Sequence, residues 1–351
     1  MAGTGPRLRG MTTVVPPHRW TQDALWRDVF AAPFASYAKA ADIFAHAAVE
    51  SRHFAIDLPA FLAQPQTIET RNDAYVVAAS DLGRQACQQA LAACGLHGRD
   101  IDFFVVASCT GFAMPDLDVL LGPALGLKES VHRLTIGETG SHAGLPAVAR
   151  AVDHVVANPH RRALVLVVEV SSVNVQLEPT GENVVSAAIF ADGAAAMVVE
   201  GAAVAGEGLA IHAGRTQTAF EMAGEMTYRF APDGLHFHLG RKVPEVLEAG
   251  VPACVDALLT EQGLGRGDID RWISHPGGRA ILDRLERAMA FQAGELGTSR
   301  RVLAQVGNLA AATVFFVLGE SQRQQPFSPG ERLMLLGYGP GLGIEALLLQ
   351  A

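Results

Sequence analysis

Three polar residues sit where glycine turns meet apolar segments: Ser141 after Gly140, His275 in Ser274-His275-Pro276-Gly277-Gly278, and Asn308 after Gly307. These residue types suit acyl chemistry. A serine at a helix start faces free backbone N–H groups and a partial positive charge, which favour a nucleophile's anion and a developing oxyanion. A histidine shuttles protons or donates a hydrogen bond, and a carboxamide donates through its N–H groups. The glycines let a substrate approach the backbone. Each residue alone has a plainer explanation. Serine and asparagine are ordinary N-caps, and a histidine before Pro-Gly-Gly is often only a turn residue.

A repeat joins two of the three. Ala86-Cys87, Gly95-Leu96 and Asp100-Ile101-Asp102 recur as Ala253-Cys254, Gly263-Leu264 and Asp268-Ile269-Asp270. The same displacement carries Gly140-Ser141 onto Gly307-Asn308. The offset is about 167 residues, far too long for a solenoid, so the chain reads as a duplicated half-domain. A pseudo-twofold arrangement would then bring the two polar helix starts together.

The elements around these residues follow from periodicity. Asp81 to Cys94 has a helical apolar face closed by Gly95, and Leu145 to Val156 repeats at i, i+3, i+4 and i+7 until Asn158-Pro159. Residues 20–50 read as loosely helical, and 116–125 as a short helix. Ile101–Ala107, Ala163–Val170 and Ala194–Val199 are continuous apolar runs of buried-strand length. The second half repeats this order with a helix at 250–262, a strand at Trp272–Ser274, a helix from Asn308, and strands at Arg332–Leu336 and Ile344–Leu349. Residues 214–235 lack a pattern and are expected to be a connection. Alternating strands and helices of these lengths predict a layered α/β fold with mostly buried sheets. The halves are expected to divide at 1–205 and 206–351.

Composition narrows the function class. Of 351 residues, 49% are hydrophobic and only 18% charged, enough for a large core. A net charge of −9 with no basic run argues against nucleic acid as a partner. The four cysteines (Cys87, Cys94, Cys109, Cys254) form no CxxC pair, which fits a reducing cytoplasm. The basic stretch Met1–Arg9 precedes no apolar signal core, and no apolar run is long enough to span a bilayer.

Several segments resemble one family. Ser108-Cys109-Thr110-Gly111-Phe112 with Met114-Pro115 is similar to a motif of the type III polyketide synthases, the chalcone synthase superfamily. Trp272 to Leu282 resembles that family's histidine motif, and Val306-Gly307-Asn308-Leu309 its asparagine motif. Phe190 to Ala196 resembles another signature, and Gly337-Tyr338-Gly339-Pro340-Gly341-Leu342 the C-terminal glycine-rich loop. The resemblance runs in order from about residue 70 to the end. It implies a thiolase fold with duplicated αβαβα halves in five layers, and a homodimer. It also implies decarboxylative condensation of malonyl-CoA onto an acyl-CoA starter, with no metal and no cofactor beyond coenzyme A thioesters. Carried over by motif, Ser141, His275 and Asn308 occupy the catalytic positions. Phe190 and Phe237 flank the reaction centre, and Met114 reaches the neighbouring subunit's cavity. Glu169, Ser171 and Asn174 shape the initiation and elongation cavity, and Gly339, Pro340 and Gly341 form the loop beside it. Lys39 and Arg52 fall where the family meets the phosphates of coenzyme A, although Asp42, His46 and Glu50 intervene. An acyl-carrier protein therefore stays open as donor.

The chief departure is serine where the family has a cysteine nucleophile. A cysteine beside an imidazolium is a standing thiolate with a pKa of roughly 3.5–7.5. A serine needs a true general base and forms an oxygen ester. Decarboxylation, which rests on His275 and Asn308, does not require the nucleophile. Three readings of Ser141 follow: an introduced Cys→Ser change, a native serine nucleophile in a ketoacyl synthase III-like acyltransferase, or a non-catalytic acyl-binding subunit. Glu138, three residues upstream, would oppose a thiolate.

Overall fold

The computed structural model describes residues 5–204 and 206–351. Residues 1–4 of the basic N-terminal stretch, and Ala205 at the expected division of the halves, lie outside the described residues. In the first half the strands are β1 (Arg7–Val14), β2 (His18–Thr21), β3 (Ser51–Phe54), β4 (Phe103–Ala107), β5 (His132–Ile136), β6 (Arg162–Val170) and β7 (Asp192–Glu200). In the second they are β8 (Leu209–Thr218), β9 (Met226–Ala231), β10 (Gly234–Leu239), β11 (Arg271–Ser274), β12 (Arg332–Gly339) and β13 (Gly343–Gln350). The helices used below are α1 (Ala40–His46), α2 (Ile68–Cys94), α3 (Gly144–Ala157), α4 (Gly181–Ile189), α5 (Val243–Glu261), α6 (Arg279–Met289), α7 (Gly297–Val306) and α8 (Thr313–Gln324).

Nine strands form one sheet in the order β11-β12-β13-β8-β1-β7-β6-β4-β5. The duplication is visible in it. Outward from the middle, β1-β7-β6-β4 matches β8-β13-β12-β11, with antiparallel, antiparallel and parallel neighbours on both sides. Only Arg7↔Ala210 and Leu8↔Leu209 join the two runs. β5 extends the first run and has no counterpart in the second.

Three helical layers cover these two sheet surfaces. α2 packs on β1, β6 and β7, and α5 packs on β8 and β13. Between them α3 touches β4, β6 and β7 but also β13, while α8 touches β11 and β12 but also β1. The two central helices therefore belong to both halves' cores. Their strands are apolar on both faces because both faces are covered: all five residues of β4 and all nine of β7 are buried.

The structure corrects several sequence expectations. α2 begins at Ile68, because the Thr67 side chain caps the Thr70 N–H and Thr70 returns the bond. α5 begins at Val243, with Pro244 in its first turn. The helix expected from Asn308 begins at Thr313, after a 3-10 turn at Ala310–Ala312. Residues 214–235 are not a bare connection. They hold the end of β8, all of β9 and the start of β10; in β9 and β10 Met226, Tyr228, Phe230, Leu235 and Phe237 alternate with Thr227, Arg229 and His236, a short period of two that marks strands. Among the described residues no helix is long and apolar enough to cross a membrane.

The halves meet at close quarters beside α3. A Cβ on Gly144 would stand 2.6 Å from Phe315 Cε2 and 2.8 Å from the Ala311 carbonyl oxygen. Helix propensity favours alanine over glycine by about 1 kcal/mol, whereas overpacking costs about 1–3 kcal/mol. Gly144→Ala is therefore expected to lower the urea midpoint of unfolding. An unchanged or raised midpoint would show that this crossing is loose.

Candidate active site

Ser141 lies in a turn that leads into α3. Gly140 precedes it with φ +83°, and a Cβ there would meet Pro340 Cδ at 2.3 Å. The Ala143 N–H donates to the Gly140 carbonyl at 2.9 Å, so the chain is already turning when it passes Ser141. Gly339 lies against the same turn: a Cβ on it would stand 2.8 Å from both the Ser141 nitrogen and His142 Nδ1. Gly341 takes φ +73° in the following turn. Glu138 is exposed, with φ +48°.

His275 follows β11 and is 1% exposed. Its N–H donates to the Leu336 carbonyl at 2.8 Å, while its own carbonyl accepts from Gly277 N–H at 3.1 Å and from the Tyr338 hydroxyl. The ring is held differently: Nδ1 is buried with no partner. A Cβ on Gly277 would meet Cδ2 and Nε2 at 3.7 Å, so Nε2 lies on the cavity side. Burial pushes the pKa of His275 down to about 3, with neighbouring His142 adding to the effect. Burial alone pushes His142 down to about 4. Both imidazoles are neutral at physiological pH.

Asn308 is fixed by both ends. Its N–H donates to the Ile189 carbonyl at 2.8 Å, and its carbonyl accepts from Ala191 N–H at 2.9 Å. The side-chain Oδ1 accepts from Ala310 N–H at 2.9 Å and from the Thr313 hydroxyl at 3.4 Å. That leaves Nδ2 as the free donor, touching only the Gly277 carbonyl at 3.4 Å. Phe190, lying between Ile189 and Ala191, pairs with Asn308 as an isolated parallel bridge.

Ser141, His275, Asn308, Phe190, Phe237 and Pro340 all line one cavity of about 650 Å³. Phe190 and Phe237 meet edge to face at 5.7 Å, and Tyr228 packs on Phe237 at 4.9 Å. These three rings also line a second chamber of about 40 Å³, which holds Ser171, Asn174 and Thr110. The Ser171 and Ser186 hydroxyl oxygens are buried there without partners. Glu169 lines neither space and is fully buried. It accepts from Thr110 Oγ1 at 2.8 Å and from Cys109 N–H at 3.0 Å, and burial raises its pKa to about 7. It shapes the wall through that loop rather than lining it. Met114 is 98% exposed and lines neither of these two chambers.

The phosphate expectation divides. Lys39 is exposed at the cavity mouth. Arg52 is 1% exposed, and its guanidinium donates to the Phe190 carbonyl at 2.7 Å and to Gln22 Oε1 at 3.0 Å. It props the cavity wall and does not meet solvent-borne phosphate. Sequence reasoning missed the exposed Arg241 and Arg279 on the rim, and also Tyr228 and Tyr338 inside. The rim arginines carried no signal until α5, which begins just after Arg241, and α6, which begins at Arg279, were folded against each other. Among the described residues no cluster of three or more His, Cys, Asp or Glu could hold a metal ion.

Comparison with known proteins covers nearly the whole chain. Residues 47–203 match the N-terminal domain of chalcone and stilbene synthases, and residues 211–351 match the C-terminal domain. A 1,3,6,8-tetrahydroxynaphthalene synthase of Streptomyces peucetius subsp. caesius is 32% identical over 99% of this chain and 93% of its own. The crystal structure of the synthase of that name from Streptomyces coelicolor A3(2), a bacterial type III polyketide synthase, superposes with a TM-score of 0.92 at 28% identity. It covers 98% of this chain and 99% of its own. The PKS-I structure from the brown alga Ectocarpus siliculosus gives a TM-score of 0.88 at 28% identity, covering 99% and 98%.

The neutral histidines have a measurable consequence. Below the ordinary value of 6.5 the unfolded chain protonates His275, whereas the folded chain does not until about pH 3. Stability from this group is therefore lost as pH falls below 6.5, by roughly 2 kcal/mol at pH 5. Buried Glu169 and Asp192, raised to about 7 and about 6, act in the opposite direction. Both are present in parent and variant, so they cancel when the two proteins' losses between the same two pH values are compared. Urea unfolding of His275→Gln at pH 7.5 and pH 5 should show about 2 kcal/mol less acid loss than the parent. Equal losses would mean that His275 is protonated in the folded chain.

Proposed function

The chain belongs to the type III polyketide synthases of the chalcone and stilbene synthase family, and from that premise we propose that Ser141, His275 and Asn308 carry its condensing chemistry. The fold is the thiolase fold, with duplicated halves in five layers. Type III synthases join malonyl units to an acyl-CoA starter by decarboxylative condensation. The observation that carries the site assignment is that three polar side chains from both halves open into one largely apolar cavity.

The proposed steps use these three side chains, which share one cavity. In loading, Ser141 Oγ attacks the starter thioester while His275 Nε2 takes its proton, and coenzyme A leaves as the thiol after recovering that proton. In decarboxylation, the bond between the malonyl carboxylate and Cα breaks, carbon dioxide leaves, and the electron pair forms an enolate. Its oxyanion sits between the His275 Nε2–H and the Asn308 Nδ2–H, donors fixed in advance of the charge. The enolate carbon then attacks the acyl ester, the bond from the acyl carbon to Ser141 Oγ breaks, and the serine alkoxide takes up one proton from water, which leaves His275 neutral.

The two roles of His275 require opposite tautomers. As base it needs a bare Nε2, and as oxyanion donor it needs Nε2–H. Serine hydrolases lock the first tautomer with a carboxylate on Nδ1. Here Nδ1 has no partner, so the donor form is equally available and serine is poorly activated. Decarboxylation is supported in full, while loading is the slow step. This counts against a native serine acyltransferase.

At the mouth, Lys39, Arg241 and Arg279 support docking of the coenzyme A phosphates, against the opposing Asp42. We extend the proposal to a cytoplasmic homodimer that uses no cofactor beyond its thioester substrates. Four unpaired cysteines agree with a reducing compartment. β5 has a neighbour on one edge only, and Phe112 and Met114 stand exposed in the loop after β4.

With malonyl-CoA and acyl-CoA starters, mass spectrometry should find that the parent releases carbon dioxide and acetyl-CoA with little polyketide. Ser141→Cys should raise polyketide formation by at least roughly 100-fold, the lower end of what a well-placed base supplies. Asn308→Ala should remove decarboxylation from both. Decarboxylation by neither form would sink the condensing assignment, and equal condensation by both would establish serine as the working nucleophile.

The phosphate assignment is tested by Arg241→Ala, expected to raise the KM for malonyl-CoA about fivefold with kcat unchanged. An unchanged KM at low ionic strength would remove Arg241 from the docking site.

A further inference from the structure

The imidazole of His275 lacks what usually orients a catalytic histidine, since no group accepts or donates at Nδ1. Its orientation must come from the main chain and from packing. Two hydroxyls hold the main chain on either side of it: Ser299 Oγ donates to the Ser274 carbonyl at 2.8 Å, and the Tyr338 hydroxyl donates to the His275 carbonyl. Tyr338 does more than close that turn. Its ring stands edge-on to the imidazole, with centroids 5.4 Å apart and planes at 75°. Its hydroxyl also lies 3.5 Å from Ser274 Oγ. Cε2 would stand 3.3 Å from a Cβ on Gly277, the residue whose carbonyl meets Asn308 Nδ2. Tyr338 is 3% exposed and lines the cavity.

We propose that Tyr338 is the positioning residue of His275, substituting ring packing and a main-chain hydrogen bond for the missing partner at Nδ1. The inference rests on the assignment of His275 above. One side chain fixes both the place where the imidazole leaves the backbone and the plane in which it lies. Through the Gly277 turn it also sets the gap between the two oxyanion donors. The ring tolerates either tautomer because it contacts the imidazole without a hydrogen bond. A carboxylate at Nδ1 would orient the ring equally well but would impose one tautomer.

The test uses graded variants. Tyr338→Phe removes the hydroxyl and keeps the ring, and Tyr338→Leu removes both. In the parent, Tyr338→Phe should lower kcat for malonyl-CoA decarboxylation roughly tenfold with KM held within twofold, and Tyr338→Leu should lower it further. In a Ser141→Cys background, the pH dependence of iodoacetamide alkylation at position 141 reports how closely the imidazole approaches the thiol. Its midpoint should move to higher pH in Tyr338→Phe and further in Tyr338→Leu. A purely structural role would lower Tm and leave both readouts where they were, which would overturn the proposal. The alkylation profile needs no turnover. If the parent fails to decarboxylate malonyl-CoA, the functional assignment fails while the Tyr338 proposal is still decided.

Discussion

Two main-chain hydrogen bonds, Asn308 N–H to Ile189 and Ala191 N–H to Asn308, hold the site together. They tie the cavity wall of the first half to Asn308, the proposed oxyanion donor of the second. Everything near them is arranged so that backbone can lie against backbone. Gly307 takes φ +76°, and a Cβ there would meet the Ile189 carbonyl at 2.8 Å and Arg52 Cδ at 2.9 Å. Arg52 closes the arrangement from below by donating to the Phe190 carbonyl. Burial lowers the pKa of that guanidinium to about 9, yet it remains charged at neutral pH and is compensated in part by Asp192. A buried cation is costly unless its donors are used; Arg52 gives one to the Phe190 carbonyl and one to Gln22 Oε1, while its Nε has no partner.

The chemistry follows from this rigidity more than from any single reactive group. Asn308 is held by Oδ1, which accepts from Ala310 N–H, so in the proposed mechanism its Nδ2 meets the oxyanion without reorganising. His275 is neutral because it is buried, which makes it available as base or donor before substrate arrives. Ser141 is the one member of the trio whose type does not match its surroundings. The site offers a neutral, unlocked imidazole, which suits enolate stabilisation better than alkoxide generation.

Much of this was legible in the sequence. The displacement of Gly140-Ser141 onto Gly307-Asn308 reported the duplication, and matching strand orders about β1 and β8 bear it out. Buried strands such as β4 and β7 were plain because nothing polar interrupts them. Legibility failed where tertiary contact overrides local pattern. The β9–β10 hairpin is an exception: Met226, Tyr228, Phe230, Leu235, Phe237 and Leu239 alternate with Thr227, Arg229, His236 and His238, so its period of two was present in the sequence and went unread. Arg52 read as a surface cation because burial of an arginine is decided by distant Phe190 and Gln22. Arg241 and Arg279 read as ordinary surface charge, since only folding places them on a common rim.

The wall of Phe190, Tyr228 and Phe237 is a partition one side chain thick, with space on both sides. Such a wall makes the size of the reaction vessel a stepped quantity. With the rings in place the growing chain meets one boundary, and with any one of them shortened it meets another, with little between. Divergence among chains built this way would run through abrupt changes at a few aromatic positions, while the scaffold and the chemistry at Asn308 stayed as they were.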